Sequence, residues 1–458
     1  MKPAAPGQLQ DEFLEQHLRQ YLGDMEAPAL ALLRRQQQWV EVAAGEALMT
    51  QDEPGDSMYL SISGRLRAYV RDDTGAERMV REMARGEIIG EMSLYTDEPR
   101  SATVVAIRDS VLVRLDKADF KLLLDSSAQL SIALTRQIIR RLQNLQTRSD
   151  LARPVTMAVL PISSGVSAAD FSARLAAQLS SLTAPGRVAL VDADFIDREL
   201  GEAGLARQAS GGARANRRIA LLLDRIESTH DCVLLVADDG PTPWTERCSR
   251  RCDEMLLLAD ATEPPLLHAT ETQLLMRRNG RAEAAEILVL LQPAALRCPR
   301  GTAAWLARRP VDDHVHVRPD LDRDMARLAR LQSRSAIGLV LAGGGARGLA
   351  HLGICRALQE CGIEVDCVGG TSIGSVMAVL VASDRPVDEV TALARRAFRV
   401  NPTGDFNWLP LLSLITGRRL RKVIETAVHE LFGFDADLKT CGRTATASPA
   451  TIRRPASR

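Results

Sequence analysis

No run of about eighteen apolar residues occurs in this 458-residue chain, so nothing in it reads as a membrane span. The amino terminus, Met1-Lys-Pro-Ala-Ala-Pro-Gly7, lacks the apolar core of a signal peptide, which predicts a cytoplasmic protein. Neither sign of charge dominates, with 58 basic and 58 acidic residues, so no nucleic acid partner is expected and no global pull toward anionic lipid exists. Eight cysteines are present, but neither Cys248-x-x-x-Cys252 nor Cys355, Cys361 and Cys367 has zinc-ligand spacing with histidine partners, so reduced thiols and no metal site are expected. Walker A chemistry is missing too: the turn Pro161-Ile-Ser-Ser-Gly-Val-Ser-Ala has neither the lysine nor the glycine run of a phosphate-binding loop.

What is present concentrates in residues 337–375. The apolar run Ile337-Gly-Leu-Val-Leu-Ala342 predicts a buried strand, and residues 349–360 a helix closed by Gly362. Between them stands a glycine turn, Gly343, Gly344, Gly345, Ala346, Arg347 and Gly348, whose amides lie where a helix N-terminus can hold an anion. A second strand is predicted over 364–368. Gly370, Thr371, Ser372, Ile373 and Gly374 follow it and open another apolar helix, which puts Ser372 at a sharp strand-to-helix bend between crowding-relieving glycines. A serine nucleophile needs a base and hydrogen-bond donors for the developing oxyanion, and the first turn can supply the donors. Two bland readings compete. Gly343, Gly345 and Gly348 also satisfy G-x-G-x-x-G, with Asp366 at the spacing of a ribose-binding acid, but a dinucleotide site leaves the elbow unexplained. The second turn alone could be an ordinary tight turn; both turns in order point to a serine hydrolase.

These residues resemble the patatin-like phospholipases, and among them the neuropathy target esterase branch. The resemblance implies that Gly343 to Gly348 form the oxyanion hole, that Ser372 is the nucleophile, and that an aspartate in a later D-G-[AG] motif completes a Ser-Asp dyad with no catalytic cofactor. That motif has no counterpart: Asp384, Asp388, Asp405, Asp435 and Asp437 follow Ser372, and none precedes a glycine. The resemblance fades near Lys439, and residues 441–458, without hydrophobic period, read as a disordered or out-of-frame tail. It also implies phospholipid or lysophospholipid substrates and peripheral membrane contact. A candidate interfacial segment is Phe406-Asn-Trp-Leu-Pro-Leu-Leu-Ser-Leu-Ile415, beside Arg418, Arg419, Arg421 and Lys422, against the competing reading of a core helix with a solvated basic end. His351 reads as a packing residue of its helix.

The amino-terminal third predicts a small β-barrel with terminal helices, from strand-like segments at 58–62, 64–71, 77–83, 101–107 and 110–115. Between them lie Gly90, Glu91, Met92 and Ser93, then Arg100 and Ser101, close to the phosphate-binding cassette of cyclic nucleotide-binding domains. Arg100 suits a cyclic phosphate, amides near Gly90 and Met92 add donors, and Glu91 can accept from a ribose hydroxyl. The ligand could be cAMP, cGMP or a cyclic dinucleotide; a surface Glu91–Arg100 ion pair is the competing reading. From 154 to 331 strands and helices alternate in a doubly wound α/β pattern, in which Val188-Ala-Leu-Val-Asp-Ala-Asp194 resembles ParA-type ATPase strands but lacks the loop that would hold a nucleotide. The expected organisation is therefore multi-domain α/β: a barrel domain over 1–150, a degenerate P-loop-like domain over 151–335, a partial patatin-like hydrolase over 336–440, and the tail. The rival from another class is a non-enzymatic sensor or scaffold.

Overall fold

Alternation of buried and exposed residues builds the first part of the chain as a sandwich closing into a barrel. Its strands are β1 Gln38–Val42, β2 Ala47–Met49, β3 Ser57–Ser63, β4 Leu66–Arg71, β5 Glu77–Met83, β6 Ile88–Ile89, β7 Thr103–Ala106 and β8 Ser110–Asp116. They pair antiparallel in two sheets, β1-β8-β3-β6 and β2-β7-β4-β5, around Met49, Leu66, Ile89, Ala106 and Leu112. Helix α1, Glu91–Thr96, follows β6, and α2, Lys117–Ser126, follows β8. The predicted segments overlap β3, β4, β5, β7 and β8. Strands β1, β2 and β6 were not foreseen, because two to five residues display too little period. In this computed structural model the described residues are 38–126 except 73, 155–399 except 210–212, 277–283 and 297, then 418–432 and 444–447. The candidate interfacial segment at 406–415 and the helix expected to leave the barrel around Arg140 lie outside them.

The middle region forms β9 Thr156–Pro161, β10 Val188–Val191, β11 Cys232–Val236, β12 Glu254–Asp260, β13 Ala285–Leu291 and β14 Asp313–Val317, in the order β10-β11-β9-β12-β13-β14. The chain starts at the sheet centre, winds to one edge and returns to build the other half, as a doubly wound fold does. Strands β9 and β11 are buried throughout, which explains their unbroken apolar reading. The helices are α3 Ala168–Leu182, α4 Ala193–Leu200, α5 Ala213–Thr229, α6 Pro243–Arg251, α7 Thr302–Arg308 and α8 Asp322–Gln332. Asp194, at the end of the ParA-like segment, pairs with Arg207 at 2.7 Å, and the same guanidinium forks onto Asp238 at 2.9 and 3.1 Å.

Contacts gather the chain into two compact units, Met1–Ala158 with Val191–Met255 and Ala269–Ala285, and Val159–Leu190 with Leu256–His268 and Glu286–Arg458. Inside the first, two turns of the barrel insert arginines among buried acids. Arg108 forks onto Glu227 of α5 at 2.8 and 2.9 Å, and its Nε lies 3.3 Å from Asp253. Arg65 approaches the same Asp253 at 3.5 Å. Thr156 Oγ1 donates to Glu227 at 2.7 Å, and the amides of Val155 and Thr156 donate to Asp253 at 2.8 and 3.1 Å. Burial works against the charge on Asp253, yet Arg108, Arg65 and those amides hold its carboxyl below the ordinary range. At Asp224 burial wins: with Glu227 adding to it, and against Arg251, Arg108 and Ser63, the carboxyl is pushed up to about 6. Because this exceeds the ordinary 3.8, the folded chain holds a proton that the unfolded chain releases, and stability falls as pH rises from about 4 to about 6. Asp224→Asn is therefore expected to match the parent at pH 4 and to exceed it at pH 8 by up to about 3 kcal/mol. Urea midpoints across that range check it, and equal pH slopes for the two proteins would refute it.

In the second unit, β15 Gly338–Leu341, β16 Cys367–Gly370 and β17 Thr444–Ala447 form a parallel sheet. Helices α9 Ala350–Glu360, α10 Ile373–Ala382, α11 Val387–Ala397 and α12 Arg418–Phe432 surround a core of Leu341, Leu352, Val368, Met377 and Leu380. Arg418, Arg419, Arg421 and Lys422 fall at the start of α12. Strand β16 starts later than the predicted 364–368, because Asp366 is a buried anchor: it accepts from Arg330 at 2.7 and 3.0 Å and from the Ile337 amide at 3.0 Å. The tail reading also needs correction at 444–447. Thr-Ala-Thr-Ala carries no hydrophobic period, but its backbone pairs with β16, and main-chain hydrogen bonds need no such period. Among the described residues no helix is long and apolar enough to cross a membrane.

Candidate active site and ligand cassette

Strand β16 ends at Gly370 and α10 begins at Ile373, so Thr371 and Ser372 must turn the chain within two residues. Ser372 does so at φ 53 and ψ −126, a conformation that side chains rarely adopt, and it stands exposed. The neighbours leave no alternative. A Cβ on Gly370 would lie 2.3 Å from the Gly374 carbonyl oxygen, and one on Gly374 would lie 2.2 Å from the Leu341 oxygen. The G-x-S-x-G spacing is thus enforced by backbone meeting backbone.

The glycine turn touches this elbow at several points. Gly345 has φ 57, and residues 343–347 are exposed. Gly348 is buried against Ile373, where a Cβ would sit 2.5 Å from the isoleucine side chain. The Gly343 amide donates to Thr371 Oγ1 at 3.1 Å, and His351 Nε2 bonds the Ala342 carbonyl oxygen at 2.9 Å. These bonds pin both sides of the turn. They also correct the expectation for Gly343, whose N–H is engaged by Thr371 rather than directed at a reacting oxygen. Sequence reasoning named Thr371 only as an elbow residue and His351 only as packing; nothing in the local pattern signals a bond across 28 residues. Thr371→Val is expected to slow phosphonylation of Ser372 about tenfold, and Thr371→Ser to restore it. Equal rates for the valine and serine variants would refute the pin.

No described carboxylate serves as an evident base. Asp384 accepts from Arg318 at 2.8 Å, Arg323 at 3.1 Å and Arg327 at 3.3 Å, and Asp388 pairs with Arg356. Asp405, Asp435 and Asp437 lie outside the described residues. Asp366, engaged by Arg330, is not presented to a ribose, so the dinucleotide reading loses its acid.

In the barrel, Gly90 caps α1 with φ 81, and a Cβ there would lie 2.5 Å from Arg100 Nη1. Arg100 is buried; it donates to the Gly90 carbonyl at 2.9 Å and to the Ser57 carbonyl and hydroxyl at 2.7 and 3.1 Å. It is not the surface partner of Glu91 that the bland reading supposed, and Glu91 is itself buried. Ser93 is buried with its hydroxyl donated to Pro99 O at 3.3 Å, while Met92 and Ser101 are exposed. Gly55 allows the preceding turn to approach α1, since a Cβ on it would meet Ser93 Cβ at 2.1 Å. A cassette with a buried guanidinium behind a glycine suits a cyclic phosphate.

A strained serine between a parallel strand and a helix, next to a threonine bonded to a glycine turn, is the local geometry of the nucleophile-elbow hydrolases. The sequence matches three families in order: the cyclic nucleotide-binding domain over residues 39–127, the P-loop-like domain of the neuropathy target esterase family over 154–338, and the patatin-like phospholipases over 339–454. Patatin-like phospholipase domain-containing protein 7 of Rattus norvegicus is 32% identical over 78% of this chain and 29% of its own. Neuropathy target esterase sws of Drosophila persimilis is 31% identical over 86% of this chain and 30% of its own. Among solved structures, the regulatory domain of Toxoplasma gondii PKA with cAMP is 28% identical, with TM-score 0.24, over 27% of this chain and 47% of that one. The chain belongs to the neuropathy target esterase branch of the patatin-like phospholipases, with an amino-terminal cyclic nucleotide-binding domain. It spans under a third of the length of these two curated relatives.

Proposed function

We propose that this chain carries the nucleophile and oxyanion hole of a cyclic nucleotide-responsive serine esterase acting on carboxylic esters of phospholipids or lysophospholipids. The observation that carries the reading is the left-handed Ser372 held against the glycine turn. Ser372 Oγ attacks the ester carbonyl carbon, its proton passes to a base, and the oxyanion meets turn amides among Gly344, Gly345, Ala346 and Gly348, the Gly343 and Arg347 amides being engaged by Thr371 and the Gly344 carbonyl. In the family the base is the aspartate of D-G-[AG], which completes the Ser-Asp dyad. No Asp-Gly follows Ser372 here, so turnover by this chain is proposed to be slow or absent while Ser372 stays reactive toward strong acylating agents. No cofactor is needed for this chemistry, and a cytoplasmic protein with peripheral membrane contact fits the substrate class.

The test is labelling by a fluorophosphonate together with hydrolysis of a short-chain ester and a lysophospholipid, each beside Ser372→Ala. Labelling lost in the variant supports the enzyme reading; turnover lost with it would mean that a further base exists. Silence in the parent with intact nucleotide binding favours the sensor reading, which the engagement of Asp384 and Asp388 by arginines also suits.

For the barrel, Gly90, Glu91, Met92, Ser93, Arg100 and Ser101 are proposed to hold the cyclic phosphate and ribose of cAMP, cGMP or a cyclic dinucleotide. Arg100→Gln is expected to weaken that binding at least about tenfold in calorimetric titration. Unchanged affinity would remove Arg100 from the site.

A further inference from the structure

A cleft of about 320 Å³ lies in the second unit, away from the elbow. Glu364 and Val365 on its rim lead into the first residue of β16, whereas Thr371 and Ser372 leave from the last, so the two features occupy opposite ends of one strand. Its lining combines two chemistries. Arg323, Arg327 and Arg330, at i, i+4 and i+7 of α8, form one stripe on the helix. The lining also includes Val365, Val381, Val387 and Val390.

The lining holds four arginines, the fourth being Arg385, against two carboxylates, Glu364 and Asp384. Asp384 is shared among Arg318, Arg323 and Arg327, and Glu364 is taken by Arg330 at 2.7 Å. Arg385 stands apart from both clusters. It is 18% exposed, its Nη2 donates to the Leu431 carbonyl at 3.0 Å, and its nearest carboxylate oxygen, on Glu389, is 3.8 Å away on a side chain 55% exposed. Its Nε is buried and makes no hydrogen bond. As counter-charge, that guanidinium has only a long contact to the mostly exposed Glu389, which leaves its charge open to an anion in the cleft. Guanidinium forks match carboxylate and phosphate oxygens, and the valine side chains in the lining offer apolar contacts to an alkyl chain. The volume falls at the small end of the range in which ligand sites occur, about 300–1,000 Å³.

We propose that this cleft binds a single-chain anionic amphiphile, with its head at Arg385 and the arginine stripe and its alkyl chain along the valines. The proposal does not depend on the hydrolase reading, since nothing in it passes through Ser372.

The experiment titrates decanoate, decyl phosphate, decanol, acetate and inorganic phosphate into the Ser372→Ala chain by calorimetry, below the micellar range. Saturable binding of decanoate or decyl phosphate, at least about tenfold tighter than decanol or either short anion, is expected. Decanoate alone would identify a free fatty acid, and decyl phosphate alone a lysophosphatidate-type headgroup. Arg385→Gln should weaken binding about tenfold, Arg385→Lys should restore part of it, and Val387→Asp should repel the chain. No saturable binding, equal binding of decanol, equal binding of acetate or phosphate, or indifference to Arg385→Gln would each overturn the proposal. Thermal melts of every variant separate loss of the site from loss of the fold. Because Ser372 is already replaced, a failure of the esterase reading leaves these outcomes untouched.

Discussion

Arg108→Ala is expected to destabilise the chain by about 3–5 kcal/mol, seen as a large fall in the urea midpoint. The side chain is buried and meets Glu227 through two hydrogen bonds, Asp253 through its Nε, and the Arg251 carbonyl at 3.0 Å. Removing it leaves two carboxylates without their principal counter-charge in surroundings that already push Asp224 up to about 6. The cost comes from the acids left behind rather than from the strength of the pair. A companion measurement follows: Arg108→Met combined with Glu227→Met should regain part of the loss, because it removes one of the two stranded carboxylates and leaves Asp253 to Arg65 and the Val155 and Thr156 amides. A double variant as unstable as the single one would show that the fork itself supplies the stability.

Gly374→Ala is expected to abolish fluorophosphonate labelling and to cost several kcal/mol, of the order seen when a packed interior is overfilled. The added methyl would meet the Leu341 and Ala342 carbonyl oxygens at 2.2 and 2.6 Å, and both are backbone atoms of the strand and turn facing the serine. No rotamer relieves such a contact; β15 or the elbow must move. Gly353→Ala is the control. It lies inside α9 with nothing within 4 Å of the added atom, so it should be neutral or stabilise by about 0.5–1 kcal/mol. Normal labelling of Gly374→Ala would mean that the elbow tolerates displacement.

The elbow and the glycine turn were legible because each is a short backbone motif, with Gly348, Gly370 and Gly374 demanded by close contacts and Gly345 by its positive φ. Barrel strands of six or seven residues were legible for the same local reason, through their period. Thr371 and the Gly343 amide, Arg108 and Glu227, and Arg330 and Asp366 were not, since each joins residues 28 or more apart and no spacing announces the partner. Asp366 shows the cost of reading spacing alone: it stands where a ribose acid would, yet serves as a buried anchor for α8. Strand β17 was missed because alternating threonine and alanine offers pairing without hydrophobicity.

The bond from the Gly343 amide to Thr371 closes a covalent and hydrogen-bonded ring that contains α9 and β16. A turn closed in this way is a fixed wall and not a lid. On the proposed esterase reading, the entropy of placing its donors is lost once, when the chain folds, and not again with each ester that arrives. Acylation of Ser372 should then depend on how the ester reaches the elbow, with no slow closing step before the chemistry.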